Sequence, residues 1–147
     1  MKPLLIAIVS CNIISCCQLQ SKPSFKESKI VSNFFKTYDG KPQKAIEDIF
    51  NSNKWLNFEK SQKETVFLKL NNLISQLGSY QGYETIKSIN IGKSYRVISA
   101  IAKYDRQPLR FNFILYKPLD KWQVQNFNFD VNIESVLEQN ITLSFDY

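Results

Sequence analysis

The side chains best suited to chemistry in this sequence form a short cluster of opposite charges, Asp105-Arg106 followed by Arg110. A guanidinium group can hold a carboxylate or phosphate through paired hydrogen bonds, and a neighbouring carboxylate can keep it in position. We therefore predict that Arg106 or Arg110 captures an anion while Asp105 orients the guanidinium. The alternative is structural, with Asp105 in a turn and the arginines in a cross-strand ion pair.

Asp130 is a second candidate, because it follows the aromatic run Phe127-Asn128-Phe129. An acid at the mouth of an apolar pocket, facing Tyr38 or Tyr104, could exchange protons with a tyrosine hydroxyl. The alternative is an aspartate that ends a strand and stabilises the turn after it.

Aromatic side chains make up 14% of the sequence and provide a third kind of candidate site. Rings of this kind can line a pocket for a small apolar ligand, a lipid or a sugar ring. The rings in question are Trp55, Tyr83, Tyr95, Tyr116 and Trp122. The alternative is that they belong to an ordinary hydrophobic core.

Several kinds of catalytic site are excluded by composition. The chain has no histidine, which removes the commonest general base and the commonest metal ligand. Its four glycines are isolated, so no phosphate-binding loop is present, and no Asp-x-Asp spacing suggests a calcium site. The sequence therefore predicts neither a metal nor a cofactor.

All three cysteines lie in the first 17 residues, beside an export-like signal. Lys2 precedes an apolar stretch that starts at Leu4 and runs, interrupted by Asn12, to Ile14. This stretch has the length of a signal peptide and is shorter than the roughly 20 residues of a bilayer span. We therefore expect the chain to be exported.

The segment Ile13-Ile14-Ser15-Cys16 resembles the lipobox of bacterial lipoproteins. The resemblance implies a signal peptide over residues 1–15, lipidation of Cys16, a tether over 16–23 and one domain over 24–147. It also implies a lipid-anchored protein of the outer membrane that faces the periplasm, because the residue after Cys16 is not aspartate. Cys11 and Cys17 are alternative sites, and a plain cleaved signal or an uncleaved anchor is the alternative to lipidation.

Helical periodicity dominates the first half of the domain. A capping box at Ser24 and an apolar stripe through Tyr38 predict the first helix, and Pro42 suits the first turn of the second. The third helix is expected to begin near Asn57 and to stop at Gly78.

Alternating patterns replace helical ones after Gly78. Four strands are predicted, at 83–91, 95–104, 109–116 and 122–131. The second is apolar on both faces and is therefore expected to be central. The apolar positions of the fourth switch parity between Val124 and Phe127, which predicts a bulge. A short helix is expected after Asn132, and the alternating tail, 141–147, is expected to form an edge.

This order of elements predicts an α+β fold, with N-terminal helices packed on a curved antiparallel sheet of four or more strands. The helical Phe34-Phe35 and Tyr38, together with the hairpin at 104–130, resemble the nuclear-transport-factor-like (SnoaL-like, cystatin-like cone) superfamily. The resemblance implies a cone-like sheet around a pocket, pairing into homodimers, and in some members catalysis by His-Asp or Tyr-Asp pairs.

The net charge is +6, from 16 lysines and only three arginines. The low arginine content and the export signal argue against nucleic-acid binding. A basic domain in the envelope can rest against anionic lipid or polysaccharide, or the lysines can simply solvate its surface.

Two hypotheses on function follow from these observations. The first is a non-catalytic envelope lipoprotein that binds a small apolar ligand or another envelope protein. The second is a small cone-fold enzyme that uses Asp130 and tyrosines as acid and base groups.

Overall fold

The computed structural model describes residues 28–56 and 59–133, which form three helices followed by a four-stranded sheet. The α+β fold with N-terminal helices is therefore confirmed. The elements are α1 (Lys29–Tyr38), α2 (Pro42–Asn51), α3 (Lys60–Leu77), β1 (Tyr80–Ile91), β2 (Tyr95–Tyr104), β3 (Leu109–Tyr116) and β4 (Gln123–Asp130).

The first two helices end as the sequence predicts and α2 begins as predicted, but α1 begins four residues later than expected, because its N-cap is Ser28 and not Ser24. The apolar stripe of α1 is buried, and Pro42 occupies the first turn of α2. Four residues of α2 are buried as well, Ala45, Ile46, Ile49 and Phe50. Ser24 and its expected capping box lie outside the described residues.

The third helix starts later than expected. Its N-cap is Glu59, whose backbone N–H donates to Gln62 Oε1 over 3.0 Å, whereas Asn57 lies outside the described residues. The predicted stop at Gly78 is confirmed. Gly78 has a φ of +92°, and a Cβ added there would lie only 3.1 Å from Cβ of Asp105, so a larger residue would be both strained and crowded.

The four strands form one antiparallel sheet in the order β1-β2-β3-β4, so β2 is central as predicted. The sheet is open within the described residues, with β1 and β4 at its edges, and does not close into a cone. β1 starts at Tyr80, three residues earlier than predicted. Its pairing with β2 shifts register between Tyr80 and Tyr83, and the strand is paired on both sides of that shift.

The parity switch in β4 coincides with a register shift, as predicted. Asn126 pairs with Ile114 and Val124 pairs with Leu115, which leaves Gln125 as the extra residue. Such a bulge bends the strand and returns its apolar side chains to the same face.

The sheet has two faces of different character, which we call the inner and outer faces. The inner face packs against the helices and carries the alternate β3 residues Leu109, Phe111, Phe113 and Leu115, all at most 1% exposed. Phe34 of α1 lies 5.2 Å, centroid to centroid, from the rings of both Phe111 and Phe113. The outer face carries the intervening residues.

The two ends of the sheet also differ. We call the end with the β1–β2 turn and the β3–β4 connection the tip, and the opposite end, near the C-terminal ends of α1 and α3, the base. The expected signal, Cys16, the tether, most of the expected short helix and the alternating tail fall on residues 1–27 and 134–147, outside the described part of the chain.

Candidate functional site

The outer face is divided into an apolar half at the tip and a polar half at the base. Two cross-strand rows of apolar residues span β1, β2 and β3 at the tip. We call these six residues the outer patch: Ile91, Tyr95 and Tyr116 in one row, and Ile89, Val97 and Ile114 in the next.

The outer patch is accessible to solvent. Exposure is 60% for Ile91, 44% for Ile89 and 38% for Tyr95, and the other three members are partly exposed. Tyr95 and Tyr116 contact each other, with ring centroids 4.9 Å apart. Exposed contiguous apolar area on a sheet is typical of an interaction surface.

The polar half of the outer face is internally paired. Arg110 Nη2 lies 2.9 Å from Asp130 Oδ1 and 3.0 Å from Asp130 Oδ2, across β3 and β4. In the next row, Asn112 Nδ2 donates to Asn128 Oδ1 over 2.9 Å. The β3–β4 side of this half therefore presents satisfied polar groups, and the half borders the outer patch on the base side.

A buried tyrosine cluster lies on the inner face at the base. The hydroxyls of Tyr38 and Tyr104 form a 2.7 Å hydrogen bond, and the ring of Tyr80 contacts both. Burial raises the pKa of Tyr38 and of Tyr104, and burial with the nearby Asp39 charge raises the pKa of Tyr80 to about 12. Neutral hydroxyls that bond to each other cannot act as bases near neutral pH.

Asp105 and Arg106 stabilise the junction between α3 and the sheet. Asp105 accepts hydrogen bonds from the backbone N–H of Ser79 at 2.9 Å and from Gln81 Nε2 at 2.8 Å. These bonds lower the pKa of the Asp105 carboxyl. Arg106 Nη1 donates to the carbonyl of Gln76 over 3.2 Å. Asp105 therefore does not orient Arg110, which is paired with Asp130 instead.

The tip holds the two tryptophans in different settings. Trp122 is partly buried, with Arg96 Cζ 4.9 Å and Lys117 Nζ 5.4 Å from its ring centroid. Trp55 is 74% exposed. Its backbone N–H donates to Asn53 Oδ1, and Asn53 Nδ2 donates to the carbonyl of Val124 over 2.7 Å. These bonds attach the α2–α3 connection to the start of β4.

A groove of about 310 Å³ lies between α1 and α2. Phe34, Ala45 and Ile49 contribute apolar lining, and Asn33 and Asp48 contribute polar groups. None of the ring-bearing or charged residues predicted as ligand contacts lines this groove.

The structure thus distributes the predicted site residues over separate places. Tyr38 and Tyr104 are together at the inner base, and Arg106 is in the base turn. Arg110, Asp130 and Tyr116 are on the outer face, whereas Trp55 and Trp122 are at the tip. The register of β3 and β4 places Asp130 on the face opposite to the tyrosine pair, so the sheet separates the expected acid from its expected partners.

The outer patch is the feature that sequence reasoning missed. The sequence pattern that indicates it lies in β2. There, adjacent residues that point to opposite faces of the strand are both apolar, Val97 with Ile98 and Ala100 with Ile101. That pattern predicts a central strand but does not say which faces are covered. The strand is central in the sheet, but the described helices cover only one of its faces.

Within residues 28–56 and 59–133, no group of three or more acidic or cysteine side chains could hold a metal ion. In the same part of the chain, no helix combines the length and the hydropathy required to cross a membrane.

Comparisons with known proteins add no relative. No family model matches the chain, and no curated protein or solved structure matches it significantly.

Proposed function

We propose that this chain is a non-catalytic binding module of the bacterial cell envelope, which binds another envelope protein through the outer patch. The single observation that carries the proposal is the exposure of Ile89, Ile91 and Tyr95 on a sheet face that no described helix covers. Removing apolar surface of this kind from water contributes about 25 cal/mol for each Å² buried. Covering the outer patch therefore contributes favourably to association, against the entropic cost of joining two molecules.

The form of the outer patch favours a protein over a small molecule. Small ligands bind in concave sites that enclose most of their surface, whereas the patch consists of two rows of side chains on an open sheet. Its polar border, with Asn112 bonded to Asn128 and Arg110 paired with Asp130, is typical of the rim of a protein interface. The most exposed members lie on the edge strand β1, where a partner can approach without obstruction by other described strands.

The positions of the acid–base candidates support a non-catalytic role. Asp130 is engaged by Arg110 on the outer face, and Tyr38 and Tyr104 are bonded to each other inside the core. The enzyme hypothesis requires Asp130 and a tyrosine in one cavity, and this arrangement keeps them on opposite faces.

The proposal includes the anchor at Cys16, in the outer membrane facing the periplasm, and the resemblance to the nuclear-transport-factor-like superfamily. The lipobox-like segment before Cys16 supports the anchor. The element order supports the resemblance, with the difference that the described sheet is open.

Site-specific photocrosslinking in living bacteria tests the partner. A photoreactive residue would replace Ile89 or Tyr95, and as a matched control Leu68, which is 64% exposed on α3. We expect a discrete crosslinked product from the outer-patch positions and none from position 68. A product of twice the mass of the chain would identify a second copy as the partner, and equal yields at all positions would contradict a specific surface.

Metabolic fatty-acid labelling tests the anchor separately. Cys16→Ala should abolish labelling and leave an uncleaved or soluble form. Labelling that persists in Cys16→Ala and is lost in Cys11→Ala or Cys17→Ala would move the lipid to that cysteine.

The groove between α1 and α2 supports a second candidate function, the binding of a small apolar ligand. Its volume of about 310 Å³ suits only a compact molecule. Native mass spectrometry of the gently purified protein should then show a discrete added mass, which Ala45→Phe should remove by filling the groove. A clean mass without addition would exclude this candidate and leave the outer patch.

A further inference from the structure

The tip of the sheet concentrates positive charge. Its three segments, 53–56, 92–96 and 117–122, contain five basic residues and one acidic residue, Asp120. The basic residues are Lys54, Lys93, Arg96, Lys117 and Lys121. Within the described part of the chain, no ion pair includes any of them, so the tip presents uncompensated charge.

Two of these cations are held in place by Trp122. Arg96 and Lys117 both lie over its ring, and Arg96 Nε donates to Asn90 Oδ1 over 2.7 Å. The terminal nitrogens of Arg96 have no acceptor among the described residues, so they can donate to an incoming anion. A phosphate that reaches this point would meet a guanidinium that is already oriented.

Large apolar side chains project from the same end. Leu119, in the β3–β4 connection, is 83% exposed, and Trp55 is 74% exposed beside Lys54, whose Nζ is 4.9 Å from the indole centroid. Both lie in the connections at the tip. In water this exposure is unfavourable, whereas tryptophan and leucine next to lysine are favoured at the interface of a bilayer.

From this combination we infer that the tip binds the anionic surface of a lipid bilayer, with Trp55 and Leu119 entering the headgroup region and the cations meeting lipid phosphates. A soluble polyanion would use the cations but would leave both apolar side chains in water. The segment between Cys16 and Ser28 permits this contact, because about a dozen residues can reach up to about 40 Å from the membrane. The outer-patch row farther from the tip, Ile89, Val97 and Ile114, stays accessible to a partner while the tip rests on the membrane.

Quenching of Trp55 by brominated lipid tests this contact in the full chain. The protein would be reconstituted into brominated phosphatidylcholine vesicles with and without phosphatidylglycerol. The contribution of Trp55 is the difference between the wild type and Trp55→Phe, a change that does not threaten the core. We expect quenching and a blue shift of Trp55 with phosphatidylglycerol, and loss of both at high salt because screening weakens the attraction.

Charge variants test whether membrane binding depends on the lysines of the tip or on the basic charge of the whole domain. The variant K93Q/K117Q/K121Q should shift the equilibrium away from membrane contact. The ratio of molecules whose tip contacts the bilayer to molecules whose tip is free should fall about fivefold for each lysine removed. Lys54 is kept because it lies on the reporter ring. The matched control, K36Q/K41Q/K103Q, removes three exposed lysines outside the tip and should retain full quenching.

Three results would overturn the inference. They are equal quenching of Trp55 in vesicles without phosphatidylglycerol, equal loss in the control variant, and no quenching in either kind of vesicle. The last would leave an acidic protein as the ligand of the tip. None of these variants changes the outer patch, so failure here is distinguishable from failure of the proposed partner.

Discussion

The two faces of one sheet differ in how their apolar residues are used. On the inner face, alternate residues of β3 are at most 1% exposed and lie against the aromatic rings of α1. On the outer face, the residues between them form an apolar half and a polar half, and the apolar half remains accessible. The inner face accounts for stability, and the outer face has apolar surface in excess of what the described fold requires.

This difference shows that apolar alternation alone does not identify a core. A strand that is apolar on both parities can be covered twice, as in a layered α/β protein, or can be covered once and offer its second face to a partner. The following predictions test whether the two faces differ in this way, from the largest expected effect on stability to the smallest.

The largest effect is expected at the centre of the inner face. Phe111→Ala should lower the free energy of unfolding by about 3–5 kcal/mol, because it removes a fully buried ring and leaves a cavity. Ile114→Ala, on the outer face, should cost only about 1 kcal/mol, because the side chain is already partly exposed. Urea titration measures both. An equal cost would mean that the outer patch is buried by the chain itself.

The buried tyrosine pair predicts a loss of stability at alkaline pH. Burial raises the pKa of Tyr38 above its ordinary value of 10.0, and Tyr80 reaches about 12. The folded state therefore keeps protons that the unfolded state releases, so stability is complete below pH 10 and falls above it. The slope is at most about 1.4 kcal/mol per pH unit for each tyrosine, and less for the partly exposed Tyr80.

Variants identify the hydroxyls responsible for that slope. Tyr38→Phe should cost about 1–3 kcal/mol at neutral pH, because the Tyr104 hydroxyl loses its partner, and should make the alkaline slope shallower. Chemical denaturation between pH 8 and pH 12 checks both effects, and an unchanged slope in Tyr38→Phe would contradict the assignment.

The ion pair on the polar half of the outer face should have a smaller effect. Arg110→Ala should cost about 1 kcal/mol, because the pair is only partly screened from solvent. A double-mutant cycle with Asp130→Asn measures the coupling. Lys44→Ala, which breaks a pair that is about half exposed on α2, serves as control and should have no measurable effect. Equal effects would mean that burial does not strengthen the outer-face pair.

The smallest effect on stability is expected in the outer patch, where the effect on binding should be largest. Ile89→Lys should change the free energy of unfolding by less than about 0.5 kcal/mol, because the side chain is already 44% exposed. It should nevertheless abolish the crosslink formed from Tyr95. Leu68→Lys should change neither. A crosslink that survives Ile89→Lys would place the partner elsewhere.

The regular parts of this fold follow from local pattern. The stripe through Tyr38, the proline at the start of α2, the glycine after α3 and the parity switch in β4 each have a physical cause within a few residues. The start of α3 differs from the prediction, since Glu59 and Gln62 form its capping box. A glutamate is a weaker cap signal than an asparagine, so sequence favours the wrong residue.

The candidate site depends on which residues pair across neighbouring strands. The alternation of apolar and polar residues in the sequence does not specify those pairs. Whether Arg110 meets Asp105 or Asp130 is decided by the register of β3 against β4, which includes the bulge at Gln125. Likewise, which side of β2 the helices cover is a tertiary property. The existence of the outer patch therefore depends on both the register of the strands and the side of the sheet that the helices cover.

We propose that the outer patch is open in the isolated protein and covered by a partner in the envelope. The chain has no cysteine after Cys17, so Ile91→Cys or Leu68→Cys, combined with Cys11→Ser and Cys17→Ser, introduces one reporter thiol into the domain. Its rate of reaction with a membrane-permeant maleimide would be compared in living bacteria and in purified protein. We predict protection at position 91 in cells that disappears on purification, with equal rates at position 68. Fast labelling at position 91 in both settings would contradict a partner, and slow labelling in both would show that the chain covers its own outer patch.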